Sequence, residues 1–350
     1  MRSYQIVEWD RPLALAECAT PAPQGTEVLL KVDACGVCHS DIHIRQGYFD
    51  LGDGERIRLA DRGARLPLTM GHEVVGEVAA LGPDAAGARV GDKRIVFPWI
   101  GCRQCEVCLA GKEMLCLTPK FIGARVVGGY SDYVLVPHAK YLIDYAGVAT
   151  DLACTYACSG ITAYSALRKV APLGATDTIL IVGAGGVGLN GVYIARALYE
   201  SRLVVADIDA AKRAAAEDAG ADHVIDNSAP GALDQVIELS GGGVAAALDF
   251  VGAPATSKFG FDSLRKGATL VVVGLYGGKL PVPLPLMPQK ALTVRGSYVG
   301  TLAEMQALME LVRAGRVPPL PVHARPLDEA EQALADLASG RVVGRYVLKP

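Results

Sequence analysis

The sequence contains no uninterrupted apolar run long enough to cross a bilayer as a helix. It has no block of like charge either: 34 Lys and Arg stand against 37 Asp and Glu, for a formal net charge of -3. That balance offers neither the basic footprint of a nucleic-acid binder nor a polybasic membrane patch, so the expected partner is a small molecule, with no nucleic acid and no membrane. The opening stretch MRSYQIVEWDRPLALAE interleaves charges with apolar residues and lacks the apolar core of a secretory signal, so a cytoplasmic location is expected. No internal repeat or low-complexity tract organises the chain, although SGGGVAAAL is locally simple. The nine cysteines lack the even count of a complete disulfide framework. In a reducing compartment they are expected as metal ligands, catalytic thiols or small core residues.

What is present suits two packed cores: 350 residues, of which 51% are hydrophobic. From Glu27 to about Pro137, short β-rich runs are broken by glycine and proline: EVLLKVDACGV, HEVVGEVAAL, RVGDKRIVF, YSDYVLVP. Beyond Thr178, apolar strands alternate with alanine-rich helical stretches, which predicts a parallel sheet covered by helices. The end of the chain reverts to strand, in LTVRGSY and GRVVGRYVLKP, around the amphipathic helix LAEMQALMELVRAG. The expected organisation is a mostly β domain over 1–155, a nucleotide-binding domain over 156–295, and a return of 296–350 to the first domain.

GAGGVG, Gly183 to Gly188, follows the strand pattern TILIV and opens a helix pattern. Gly183 permits a tight turn, Gly185 lets backbone approach a pyrophosphate, and Gly188 lets helix and strand pack closely; Gly186 and Val187 belong to the same turn. Asp207 ends the next strand, where a carboxylate accepts hydrogen bonds from ribose hydroxyls and repels a 2′-phosphate, so NAD is expected over NADP. Asp209 is a competitor two residues on, and Lys212 either reaches the ribose edge or stands solvated.

Cys102, Cys105, Cys108 and Cys116 form C-x2-C-x2-C-x7-C, a lobe over 101–117. Four thiolates so close together can fold around one tetrahedral cation and leave no open position, which favours a structural zinc over buried cysteines, an iron–sulfur cluster or disulfides. CGVCHSDIH, Cys35 to His43, is more ambiguous. Its C-x-x-C spacing suits a redox dithiol, but such a motif belongs at the start of a helix in a βαβ unit, which the pattern does not provide. Cys38 with the histidine of GHE, His72 beside Glu73, would supply two ligands to an open zinc site.

Taken together, CGVCHSDIH, GHEVVGEV, the four-cysteine lobe, CSGITAYSAL, GAGGVG with Asp207, and the terminal GRYVL resemble the zinc-dependent medium-chain alcohol dehydrogenase family. The resemblance implies an α/β chain with a Rossmann doubly wound parallel sheet and a mostly β, GroES-like catalytic domain. It implies NAD and two zinc ions, one structural and one catalytic, the latter held by Cys38, His72 and Cys158. By the same resemblance Asp41 orients His72, Glu73 sits behind the metal, His39 and Arg345 contact the pyrophosphate, and Thr162 lies beside the nicotinamide. Ser40 matches a hydroxyl that contacts the alcohol, and His43 a relay that carries its proton to water through the cofactor ribose. Trp99 matches a pocket-lining position, although an aromatic there equally suits the core. The resemblance thus implies a zinc that would act as a Lewis acid and an NAD that would take hydride from the carbinol carbon, giving an aldehyde or ketone. A homo-oligomer, tetramer or dimer, is the family's common form.

The segment between His43 and GHE is long, and its residues 47–69 carry Arg56, Arg58, Arg62 and Arg65 against Asp50, Asp53, Glu55 and Asp61. It is read either as a solvated loop near the substrate entrance or as the source of an arginine that grips a substrate carboxylate. GYFDL and ADRG resemble the branch containing 6-hydroxyhexanoate dehydrogenases, which raises an ω-hydroxy acid among the candidate substrates. A zinc-free quinone reductase and a non-catalytic, zinc-stabilised or thiol-sensing binding protein are the competing readings. Cys18, Cys35 and Cys154 are read as core, and His138, His223 and His323 are left without a role.

Overall fold

Strand Thr178–Val182, TILIV, is buried along its whole length because both of its faces are covered. Ile179 and Ile181 enter the larger of two apolar clusters, and Leu180 and Val182 the smaller, as the two-residue repeat of a strand requires. The chain is described here as a computed structural model over residues 1–350. Around this strand six parallel strands are ordered His223–Ile225, Arg202–Ala206, Thr178–Val182, Val244–Asp249, Leu264–Val272 and Thr293–Gly296. This is the 3-2-1-4-5-6 order of a dinucleotide-binding sheet, whose crevice opens where the order reverses, between Thr178–Val182 and Val244–Asp249.

The β-rich half forms a mixed, mostly antiparallel sheet of seven strands. Its longest pairing joins Val28–Gly36 to Glu73–Leu81 and sets Gly36 opposite Glu73. The chain's last strand, Arg345–Lys349, pairs antiparallel with Val28–Gly36 at Val347↔Gly36 and parallel with Val322–Pro326. The C-terminal segment therefore runs back into the first sheet, and it carries Arg345 to the cleft between the two sheets.

Two features departed from local expectation. Cys38 does begin a helix, His39–Gln46, whose first-turn Asp41 accepts from the Cys38 amide at 2.9 Å. The helix follows an antiparallel strand rather than standing in a βαβ unit, and Cys38 faces Cys158, with sulfurs 3.8 Å apart, so the C-x-x-C spacing pairs no dithiol. Residues within 47–69 form a hairpin, Tyr48–Gly52 with Glu55–Arg58, in which Phe49 stands opposite Ile57. Cys35 and Cys154 are buried, whereas Cys18 is only partly so.

Candidate active site

A cavity of about 410 Å³ lies between the two sheets. The residues that the sequence nominated meet on its wall: Cys38, His39, Ser40, His43, His72, Trp99, Cys158 and Thr162, together with Gly183, Gly185, Gly186, Val187, Gly188, Asp207 and Lys212 of the nucleotide-binding half and Arg345 of the returning last strand. Asp41 and Glu73 stand behind that wall, both fully buried.

The donor atoms of Cys38, His72, Cys158 and Glu73 lie within 4.8 Å of one another. Two Zn–S bonds of about 2.3 Å at the tetrahedral angle need sulfurs roughly 3.8 Å apart, and the Cys38 and Cys158 sulfurs are 3.8 Å apart. His72 Nε2 is buried with no hydrogen-bond partner, an uncompensated state that a metal would relieve. Asp41 Oδ1 lies 3.1 Å from His72 Nδ1, while Asp41 Oδ2 accepts from the Cys38 amide at 2.9 Å and the Tyr130 hydroxyl at 3.0 Å. Nδ1 thus faces a carboxylate, which favours its protonated form and leaves the Nε2 lone pair for the metal. Glu73 Oε1 is drawn into a buried ion pair with Arg345. Three nitrogen and sulfur donors with a carboxylate held back fit zinc with an open position.

The electrostatics follow this geometry. The hydrogen bond from Cys158, opposed by burial and helped by Arg345, holds the Cys38 thiol well below its ordinary pKa. Burial lowers the His72 pKa, but Asp41 more than offsets it and raises the basicity of the ring. Burial pushes Glu73 up, against the opposing pull of Arg345.

Cys102, Cys105, Cys108 and Cys116 also gather their sulfurs within 4.8 Å, with Cys105 and Cys108 3.4 Å apart. A side chain at Gly101 would strike the Cys108 sulfur, its Cβ only 2.3 Å away, so glycine lets the lobe close. Glu113 ties the lobe to the domain, accepting from the Gly101 amide at 2.9 Å, the Tyr141 hydroxyl at 2.7 Å and Lys140 Nζ at 3.1 Å.

At the nucleotide turn Gly183 has φ +91°, and a Cβ on Gly188 would lie 1.8 Å from the Gly183 carbonyl oxygen. A Cβ on Gly185 would meet no protein atom within 4 Å, which leaves space for a phosphate at the start of helix Gly186–Leu198. Asp207 Oδ2 accepts from the Ala184 amide at 2.7 Å, so the carboxylate sits against the glycine turn. Asp209, the competitor, instead caps helix Ala210–Asp218 by accepting from the Lys212 amide at 3.0 Å. Arg345 packs against Gly186, where a Cβ would lie 2.2 Å from its Cδ. The residues present therefore fit a dinucleotide.

The loop arginines behave differently from the sharper expectation. Arg56, Arg58, Arg62 and Arg65 are exposed and none lines the cavity. The hairpin's alternation turns Phe49 and Ile57 partly inward and Arg56 and Arg58 outward, with Arg56 over the Tyr48 ring at 4.0 Å. Phe49 and Leu59 do line the cavity, and the Gly278 amide approaches the Asp50 carbonyl at 3.4 Å, so the hairpin segment contributes apolar wall and touches the nucleotide-binding half. Sequence reasoning missed Phe121, Arg125 and Tyr298 on the same wall, for none carries a spacing signal.

A dinucleotide crevice opening onto a cysteine–histidine metal triad defines a metal-dependent dehydrogenase. Two family models agree with it: the alcohol dehydrogenase GroES-like domain matches residues 24–145, and the zinc-binding dehydrogenase domain matches 186–314. An NAD-dependent alcohol dehydrogenase of Saccharolobus solfataricus is 38% identical over the full length of both chains. An alcohol dehydrogenase of Geobacillus stearothermophilus is 33% identical over 100% of this chain and 99% of its own. The crystal structure of the alcohol dehydrogenase of Aeropyrum pernix superposes with a TM-score of 0.92 at 31% identity, covering all of both chains. The chain belongs to the zinc-dependent medium-chain alcohol dehydrogenase family. It is an NAD-dependent enzyme of that class, with sites for a catalytic and a structural zinc.

Proposed function

We propose that the protein oxidises a primary alcohol to its aldehyde, reversibly, with catalytic zinc at Cys38, His72 and Cys158 and structural zinc in the four-cysteine lobe. An ω-hydroxy acid such as 6-hydroxyhexanoate is the candidate substrate. The observation that carries the reading is that one cavity joins the metal triad to the glycine turn. Zinc, when bound, supplies Lewis acidity toward the alcohol oxygen.

The protein's own residues do the rest. Asp41 orients His72, and Arg345 neutralises the Glu73 carboxylate that stands behind the triad. Trp99, Phe121 and Tyr298 form an aromatic wall, their rings 5.5 to 6.3 Å apart, which excludes water from the reacting carbon. With NAD bound, Ser40 would take the alcohol proton, and His43, whose Nε2 is buried without a partner, would receive it by way of the cofactor ribose. Thr162 Oγ1 is also unpartnered on the cavity wall; with NAD bound, Thr162 would lie beside the nicotinamide, Asp207 and Lys212 would hold the adenosine ribose, and His39 and Arg345 would hold the pyrophosphate.

A cytoplasmic homo-oligomer, tetramer or dimer, completes the reading. No helix is long and apolar enough to cross a membrane. The sheet's edge strand Thr293–Gly296 is exposed throughout, an edge that a second copy would cover.

NADH formation by zinc-loaded protein with 6-hydroxyhexanoate, 1-hexanol, benzyl alcohol and a secondary alcohol, repeated with NADP, tests the proposal. Activity with NAD that is lost on zinc removal and recovered on its return is expected. A preference for benzyl or secondary alcohols would replace the ω-hydroxy acid with a general alcohol or carbonyl substrate, and no NADH with any of them would sink the reading.

A further inference from the structure

One guanidinium on the cavity wall has no counter-ion. Arg125 lines the same cavity as Cys38, His72 and Cys158, and its Nη1 is buried with no hydrogen-bond partner. Its titratable neighbours are the neutral Tyr298 phenol, whose pKa burial raises to about 12, and a second cation, Arg62, with no carboxylate among them. Arg125 is half-buried, and burial lowers its pKa, yet arginine stays protonated in proteins, so the cavity wall holds an unneutralised charge. Buried charges are paired as a rule, because desolvation without a partner is costly. The missing partner is best sought in what enters the cavity.

The position of this charge is built rather than incidental. In the turn 121–126 the amides of Arg125 and Val126 both donate to the Phe121 carbonyl, at 2.8 and 3.2 Å, and the Gly123 amide donates to Val126 at 2.9 Å. The turn presses on the residue before the metal ligand His72: a Cβ on Gly123 would lie 2.3 Å from the Gly71 carbonyl oxygen, which also accepts from the Gly129 amide at 2.8 Å. The backbone that carries Arg125 is thereby packed against the segment that carries His72. The wall between them is aromatic, with Trp99 5.4 Å from the His72 ring and Tyr298 6.0 Å from Trp99. The cavity thus presents metal ligands at one point, an apolar surface, and a free cation at another.

We propose that Arg125 is the specificity-determining residue of this cavity and binds the carboxylate of an alcohol or aldehyde substrate whose reacting carbon lies at the metal triad. The substrate class is an ω-hydroxy or ω-oxo acid with an apolar chain lying along Trp99 and Tyr298. This rests on the alcohol-oxidation reading above and moves the carboxylate contact from the exposed loop arginines to Arg125. A guanidinium suits the task because its paired N–H donors match both oxygens of a carboxylate.

The experiment compares kcat/KM for 6-hydroxyhexanoate and 1-hexanol in wild type, Arg125→Met, Arg125→Lys and Arg62→Gln, each zinc-loaded with saturating NAD. Wild type is expected to favour the hydroxy acid by about 100-fold, roughly 2.7 kcal/mol. Arg125→Met should collapse that ratio, mainly through the KM of the hydroxy acid, and Arg125→Lys, which keeps the charge, should retain part of it. A wild type with no preference overturns the proposal even if a variant fails to fold. So does a ratio unchanged in Arg125→Met, or a collapse confined to Arg62→Gln. In those cases 1-hexanol oxidation leaves the dehydrogenase reading standing, whereas wild type inactive with both alcohols removes that reading and this proposal together.

Discussion

Replacing Asp41 with asparagine should loosen the catalytic zinc and leave the structural one in place. Asp41 is fully buried and presents three contacts: Oδ2 accepts from the Cys38 amide at 2.9 Å and the Tyr130 hydroxyl at 3.0 Å, and Oδ1 lies 3.1 Å from His72 Nδ1. All three neighbours offer hydrogens to a carboxylate that offers none. An asparagine supplies one oxygen and one NH2. If the oxygen keeps Cys38 and Tyr130, the NH2 meets Nδ1 and drives the His72 proton to Nε2, the atom needed for the metal. If the amide flips, the NH2 confronts both donors instead. Loss of such an orienting carboxylate typically costs 10- to 100-fold in metal affinity, about 1.4 to 2.7 kcal/mol. The assay is zinc per chain after dialysis against graded chelator, with the four-cysteine lobe as the internal reference. The variant should fall from two zinc ions to one at a chelator concentration where wild type keeps both. Retention of both ions by the variant at that concentration would refute the reasoning.

Glu113→Ala strands the Gly101 amide and the Tyr141 hydroxyl, so a loss of about 2 to 3 kcal/mol is expected, read as a lowered Tm and earlier zinc release from the lobe alone. Asp207→Ala removes the acceptor set against the Ala184 amide, so KM for NAD should rise on the order of 10-fold or more and the preference over NADP should shrink. Burial, then the neighbouring His39, holds His43 below the ordinary imidazole pKa of 6.5. A depressed base is competent above its folded pKa and fails as pH falls through it, so the acid limb of kcat should lie below pH 6.5. In His43→Gln that limb should vanish and kcat drop on the order of 10- to 100-fold; an unaltered pH profile would remove His43 from the relay.

The glycine turn and the four-cysteine lobe were legible in the sequence because each is a single local segment. Backbone sterics require glycine at Gly183 and Gly188, and four thiols within one short loop can meet without help from the rest of the chain. The alternation of apolar strands and alanine-rich helices likewise carried the parallel sheet, since both periods are set residue by residue. The catalytic centre was another matter. Cys158 lies 120 positions from Cys38 and has no spacing of its own, so only family resemblance nominated it before the fold brought the two sulfurs together. The Glu73–Arg345 pair spans 272 positions and exists because the last strand adds to Val28–Gly36.

Tertiary structure also chose between residues of equal local merit. Asp207 faces the glycine turn while Asp209 is consumed as a helix cap; the loop arginines point to solvent while Arg125, in a stretch without motif, reaches the cavity. Local sequence determined which segments turn, extend or coil, because those preferences depend on near neighbours. Which side chains share a wall depended on how the two sheets close on each other, a matter of long-range packing that no short stretch contains.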